Sequence, residues 1–196
     1  AGLIFDALGG HGNLLGIDRD DEAVTRALRQ LDAWRERCVI RRGNFADLAD
    51  IAASHGIGGV DAVFLDLGVS SEQLASPDRG FSFSVDGPLD ARMDRSGGTT
   101  AGDLVNGLPE EELKRIIAEF GEERASGRIA REIARERARG AIRGTLQLAG
   151  IVSRAAGGRH GRIHPATRTF QALRIAVNAE LDALARGLEA GLSLLA

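Results

Sequence analysis

Four short apolar runs alternate with helical patterns in the first third of this chain, and that alternation limits the folds open to it. The runs are Leu3-Ile4-Phe5-Asp6, Leu14-Leu15-Gly16-Ile17-Asp18, Cys38-Val39-Ile40 and residues 60–67, VDAVFLDL. Continuous apolar strands separated by helices predict an α/β fold whose parallel sheet is covered on both faces. Asp20, Asp21 and Glu22 open the first helix, where its positive end favours acids. Ala23, Ala27, Leu28, Leu31 and Trp34 form its apolar stripe. Residues 48–53 predict a second, short helix. The spacing also carries a conflict. Only the glycine-rich turn of residues 9–13 and the two residues before it separate the first two runs, whereas a parallel crossover takes a dozen or more. A hairpin, or residues absent from that loop, is therefore expected. The last helical pattern runs to Ala196 with no strand after it, which predicts further chain at the ends.

From about Ser76 the pattern changes. Residues 76–100 are rich in Gly, Pro, Asp and Ser and read as a long ordered loop. Pro109 and Glu110-Glu111-Glu112 start a helix with Ile116, Ile117 and Phe120 on its apolar side. Ile129 and Ile133 mark a helix studded with arginine, and residues 146–155 a third. Pro165 opens one long helix carrying Phe170, Leu173, Val177, Leu181, Leu184 and Leu188. The expected organisation is a discontinuous core of residues 1–75 and 165–196, with residues 76–164 as an inserted loop and helical domain.

Charge follows the same division. Residues 1–109 hold 10 Arg against 17 Asp and Glu, whereas residues 124–174 hold 12 Arg against Glu132 and Glu136 alone. A positive field of that density attracts polyanions, and guanidinium groups grip phosphate with paired hydrogen bonds. A solvated arginine-rich face is the plainer alternative. The single cysteine, Cys38, excludes an intramolecular disulfide framework and a cysteine-only zinc site. Its thiol is expected to be buried rather than reactive. No metal site is expected, since His11 has no companions at ligand spacing. No apolar run approaches the ~20 residues of a membrane span, and the first residues show no secretory signal. A reducing cytoplasm is the expected location.

Five segments carry chemistry. Gly9, Gly10 and His11 follow the first run, where glycines permit a sharp turn and close approach to a ligand. Asp18 ends the second run, where an acid can accept both ribose hydroxyls of a nucleoside cofactor. Nicotinamide and S-adenosylmethionine (SAM) sites share that pairing, and no full GxGxxG is present. Phe45, after the third run, can pack on an adenine or serve the core. Asp66 ends the fourth run, and Gln73 beyond it can both donate and accept hydrogen bonds. Arg79-Gly80-Phe81-Ser82-Phe83 and residues 86–94 form a loop able to close over a base, or one tied down by Phe81 and Phe83. Arg168 and Arg174 lie where the basic segment rejoins the core, with Asn178 and Glu180 beyond them.

Taken together, DLGVSSEQL (66–74), RGFSF (79–83), DGPLDARMD (86–94), GEER (121–124) and HPATRTFQALRIAVNAEL (164–181) closely resemble the small-subunit ribosomal RNA cytosine-N4 methyltransferase family, methyltransferase H type. The resemblance spans residues 3–195. It implies a class I SAM-dependent methyltransferase fold, Rossmann-like, with an inserted all-helical domain. It also implies N4-methylation of a cytidine in the ribosomal decoding centre. SAM contacts then fall on Gly9, Gly10, His11, Asp18, Phe45, Asp66 and Gln73. For the catalytic part at the amine, the strand-end position makes Asp66 or the adjacent backbone carbonyls the candidates. Arg79, Arg128, Arg131, Arg135 and Arg168 are the candidate RNA contacts. The implied partner is small-subunit ribosomal RNA within the small ribosomal subunit, and a homodimer stays open. The family's first loop is longer than residues 6–12, and its late Ser-Phe-His-Ser-Leu-Glu-Asp pattern is absent here. Two other readings remain: an NAD-dependent oxidoreductase, from the glycine turn with Asp18, and a nonenzymatic RNA-binding or ribosome-assembly factor on the same fold.

Overall fold

A computed structural model describes residues 2–7, 9, 11–157 and 164–195. The protein is mixed α/β, with a small parallel sheet and many helices. It divides into two compact units. The first comprises residues 1–66, 93–95 and 180–196, and the second residues 67–92 and 96–179. Their boundaries at 66 and 179 differ from the 75 and 164 expected from sequence.

In the first unit, α1 (Gly2–Ala7) precedes β1 (Leu14–Asp18), α2 (Asp21–Gln30), β2 (Cys38–Arg42), α3 (Leu48–Ser54) and, much later, α10 (Glu180–Leu194). β1 and β2 run parallel in register, Leu14 opposite Cys38 and Asp18 opposite Arg42. Phe5, Leu31 and Ile40 form the buried cluster between sheet and helices, with Val24, Ala27 and Trp34 packed on it. Asp20 caps α2, its carboxylate accepting from the Glu22 amide at 3.0 Å.

Two expected strands are not formed. Leu3-Ile4-Phe5-Asp6 lies within α1. With so few residues before β1, a parallel crossover cannot close, and local helical bonds satisfy the backbone instead. Phe5 still faces inward, stacked on Trp34 with ring centroids 5.5 Å apart. Residues 60–67 form no strand ladder. The Val60 amide donates instead to the Leu194 carbonyl at 2.8 Å, and Phe64 is 80% exposed. Apolar sequence alone does not make a strand; the ladder needs a neighbour with open backbone groups.

The second unit holds α4 (Ser71–Ala75), α5 (Ala101–Gly107), α6 (Glu110–Glu119), α7 (Ser126–Arg137), α8 (Thr145–Ala156) and α9 (Ala166–Asn178). Leu113, Ile117, Ile129, Ile133, Leu148, Ile151 and Leu173 are among its fully buried side chains. The spacing of Ile129 and Ile133 thus marks a true core face. α5 has no expected counterpart, although Thr100 and Asp103 spell its capping box. The single long helix expected from Pro165 is broken. It ends at Ala179, whose φ of 48° is left-handed and stops the helical bonding. Asn178, buried at the break, donates its side-chain amide to the carbonyls of Ala91 (2.8 Å) and Arg174 (2.9 Å). Among the described residues, no helix is long and apolar enough to cross a membrane.

Candidate functional site

The carboxyl edge of the two-stranded sheet gathers the polar groups of the first unit. At the end of β1, the Asp18 carboxylate accepts from the Asp20 amide at 2.8 Å. Its backbone carbonyl accepts from the Gly43 amide at 2.9 Å, fixing the turn after β2. Surrounding protein displaces water from this carboxyl and raises its pKa above the ordinary value, against the opposing pull of the Asp20 amide. The residue as a whole nevertheless keeps a solvent-exposed face. A carboxylate held partly desolvated at a strand end, with lone pairs still open to solvent, has the chemistry to accept vicinal hydroxyls.

Arg42, across the ladder from Asp18, joins two further acids. Its guanidinium lies 3.1 Å from Asp21 Oδ2 and 2.6 Å from Asp94 Oδ1. Residues 93–95, of which Met93 and Asp94 end the DGPLDARMD motif, therefore belong with the sheet edge. Sequence reasoning misses both Arg42 and Asp94 as parts of this edge. The available signal was the position of Arg42, just beyond the Cys38-Val39-Ile40 run.

Phe45 follows Asn44, whose side chain accepts from the Ala46 amide at 3.1 Å and caps a single helical turn. The ring lies against α10. A Cβ at Gly187 would stand 2.4 Å from Phe45 Cδ2, so only glycine permits this approach. Gly9 occupies a turn with φ of 59°, and His11 is exposed. Gly10 lies outside the described residues. Asp66 is exposed at the end of the 60–67 segment, and among the described residues no hydrogen bond joins it to Asp18.

The remaining candidates belong to the second unit. Gln73 is buried, and its Oε1 accepts from the Ser70 amide at 2.9 Å in the capping box of α4. Arg79 is only 2% exposed, its guanidinium donating to the Arg92 carbonyl and lying 5.7 Å from the Phe81 ring centre. Phe81 is buried, and Phe83 packs on His164 and Phe170 at 4.7 and 4.8 Å, so the 76–100 loop is anchored by its aromatics. Arg128, Arg131 and Arg135 line the exposed side of α7. Arg168 is exposed and donates to the Glu122 carbonyl at 2.9 Å.

A cleft of about 710 Å³ in this unit is lined by Leu89, Asp90, Asp103, Asn106 and Ile142 among others. None of the candidate cofactor residues lines it. Two of its polar side chains are engaged: Asn106 holds Gly102 and Ile142, and Asp103 caps α5.

Comparison with known proteins adds independent findings. The chain matches the family model described as the MraW methylase family over residues 1–196. It is 55% identical over its whole length to a protein of Syntrophotalea carbinolica named ribosomal RNA small subunit methyltransferase H. Proteins of the same name from Citrifermentans bemidjiense and Geobacter sulfurreducens are 52% and 51% identical, again over 100% of this chain. The chain spans 63% of the length of each of these relatives.

Proposed function

This chain belongs to the MraW methylase family, and from that premise we propose that it forms part of a SAM-dependent methyltransferase acting on N4 of a cytidine in the decoding centre of small-subunit ribosomal RNA. The observation that carries the reading is Asp18 at the carboxyl end of β1. It is partly desolvated yet open to solvent, where a nucleoside's sugar would be held. The names of the relatives supply the reaction class and its RNA substrate. They lend no support to the nicotinamide-dependent oxidoreductase or to the nonenzymatic assembly factor.

In this reading residues 1–75 and 165–196 form a class I, Rossmann-like core. Residues 76–164 supply RNA recognition, in the cytoplasm and on the small ribosomal subunit. Asp18 would hold the ribose of SAM, with Gly9, Gly10, His11, Phe45 and Asp66 as the other contacts. When bound, SAM supplies an electrophilic methyl group. The protein's task is then positional, because the cytosine N4 lone pair is delocalised into the ring and must be fixed in line. Asp66 accepts the proton that N4 sheds as it becomes cationic. A base within folded RNA must be unstacked before it reaches such a site. Of the arginines expected at the RNA, Arg128, Arg131 and Arg135 on the exposed side of α7 are the side chains assigned to it, whereas Arg79 is enclosed and Arg168 holds the Glu122 carbonyl.

The test is transfer of labelled methyl from SAM to small ribosomal subunits by the full-length protein, followed by mass mapping of the nucleosides, with calorimetry against SAM and NAD in parallel. N4-methylcytidine and SAM binding are expected. Binding of NAD without SAM, or label on another nucleoside, would overturn the reading.

A further inference from the structure

Among the sequence motifs, Gly121-Glu122-Glu123-Arg124 has no part in the cofactor site, yet it builds the turn between α6 and α7. Gly121 is buried where α9 crosses: a Cβ there would stand 2.5 Å from the Arg168 carbonyl oxygen. Glu122 adopts a left-handed φ of 50° and presents its carbonyl to the Arg168 guanidinium at 2.9 Å. The Glu123 carboxylate accepts from the Ala125 amide at 2.7 Å, and its carbonyl from the Ser126 amide at 3.1 Å. The first three residues are thus committed to holding the bend. The fourth, Arg124, is exposed on a cleft of about 320 Å³ between α6 and α7.

Lys114, Arg124, Arg128 and Arg131 line that cleft together with Glu110 and Glu111. Lys114 is paired with Glu111 at 2.9 Å, and Arg131 with Glu110 at 3.7 Å. Among the described residues, Arg124 and Arg128 make no ion pair within 4.0 Å. Two uncompensated guanidinium groups sharing one concavity repel each other, and an anion between them relieves that repulsion. Phosphate suits them best, because a guanidinium can meet two of its oxygens at once. The cleft also opens the most basic stretch of the chain, 12 Arg against two Glu over residues 124–174, which favours a polyanion over a free nucleotide.

We infer that this cleft is a phosphate-binding site that grips the backbone of the RNA substrate through Arg124 and Arg128. The inference rests on the proposed function for the identity of the polyanion, and it assigns Arg168 to positioning: it staples the turn that aims Arg124.

The experiment compares full-length wild type with Arg124→Ala/Arg128→Ala in binding small-subunit ribosomal RNA over a series of salt concentrations. The double variant is expected to bind about tenfold or more weakly, with a salt slope shallower by about 0.7–0.9 for each phosphate it no longer neutralises. SAM binding should be unchanged, and a thermal scan matching wild type reports that the variant is folded. Glu110→Gln/Glu111→Gln, which removes the cleft's own anions without touching the turn, should tighten RNA binding. Arg139→Ala/Arg154→Ala removes equal charge elsewhere in the same unit and should have a clearly smaller effect. Equal losses in the two arginine pairs, or an unchanged salt slope in the cleft variant, would overturn the site while wild-type methylation left the function standing. A wild type that neither binds RNA nor methylates it would overturn both.

Discussion

Arg42 and Asp94 meet at 2.6 Å, and through this pair a carboxylate 52 residues further along the chain is fixed to the end of β2. Both side chains are about a third exposed, so the pair itself contributes only about 0–1 kcal/mol to stability. Its larger effect is to order residues 93–95 beside the sheet edge that carries Asp18. Asp94→Asn is expected to lower the melting temperature by no more than a few degrees while weakening SAM binding several-fold. Calorimetry with SAM and a thermal scan on the same protein separate the two effects. Unchanged SAM affinity would mean that the segment has no part in the site.

Asp18 should trade stability for binding. Burial raises the pKa of its folded-state carboxyl above the ordinary 3.8. Between the unfolded and folded values the native state therefore binds more protons than the unfolded one. The group's contribution is most favourable below 3.8 and is lost as pH rises through the folded value. Asp18→Asn keeps the acceptor for the Asp20 amide and removes the charge. The variant should be at least as stable as wild type near neutral pH, with the advantage shrinking as pH falls toward about 4. Its SAM affinity should drop at least tenfold. Denaturant titrations at several pH values and calorimetry read both.

Asp66 lies at the end of the 60–67 segment with its side chain open to solvent. If it takes the proton from N4, Asp66→Asn lowers single-turnover methylation at saturating SAM by about 10²–10⁴-fold. Retained turnover would place proton removal elsewhere.

Gly187 and Phe45 are packed so closely that a methyl group cannot be inserted between them. Gly187→Ala must push Phe45 or α10 aside, at about 1–3 kcal/mol. Urea denaturation should show the loss. Phe45→Leu in the same background should recover part of it, since the smaller side chain leaves room.

The Thr100 hydroxyl donates to Asp103 at 2.6 Å, and this bond with that of the Thr100 amide holds the Asp103 carboxyl pKa below its ordinary value. A depressed carboxyl contributes stability above its unfolded value and loses it as pH falls through the folded one. Thr100→Ala should cost about 1 kcal/mol near neutral pH. The difference from wild type should narrow on acidification, as seen in denaturation midpoints at several pH values.

The fold was legible wherever a signal is local. Asp20 capping α2, Pro109 before α6, and the Ile129/Ile133 pair of α7 all lie where charge, backbone and periodicity predict. α5 carries an equally local signal in Thr100 and Asp103, but its short apolar face, Ala101 and Val105, is too sparse to stand out after a glycine-rich loop. The stripe of Leu181, Leu184 and Leu188 shows the limit. It comes from extending one helical period through Ala179, where the chain bends. After the bend, α10 buries Ala183, Gly187, Gly191 and Leu194, leaving Leu181 and Leu188 about half exposed.

By itself the sequence determined the chemistry at hand and most of the helices: an acid closing β1, the family motifs, and an arginine-dense segment in the second half. Those properties depend on residue type and on neighbours a few positions away, which the linear order contains. The tertiary structure decided which apolar runs became strands, which arginines stayed in solvent and which acid met Arg42. Residues 60–67 lack a strand to pair with, Arg79 is enclosed by its own loop, and Asp94 reaches β2 across 52 residues. Each outcome turns on a partner brought in from elsewhere in the chain, and only folding supplies it.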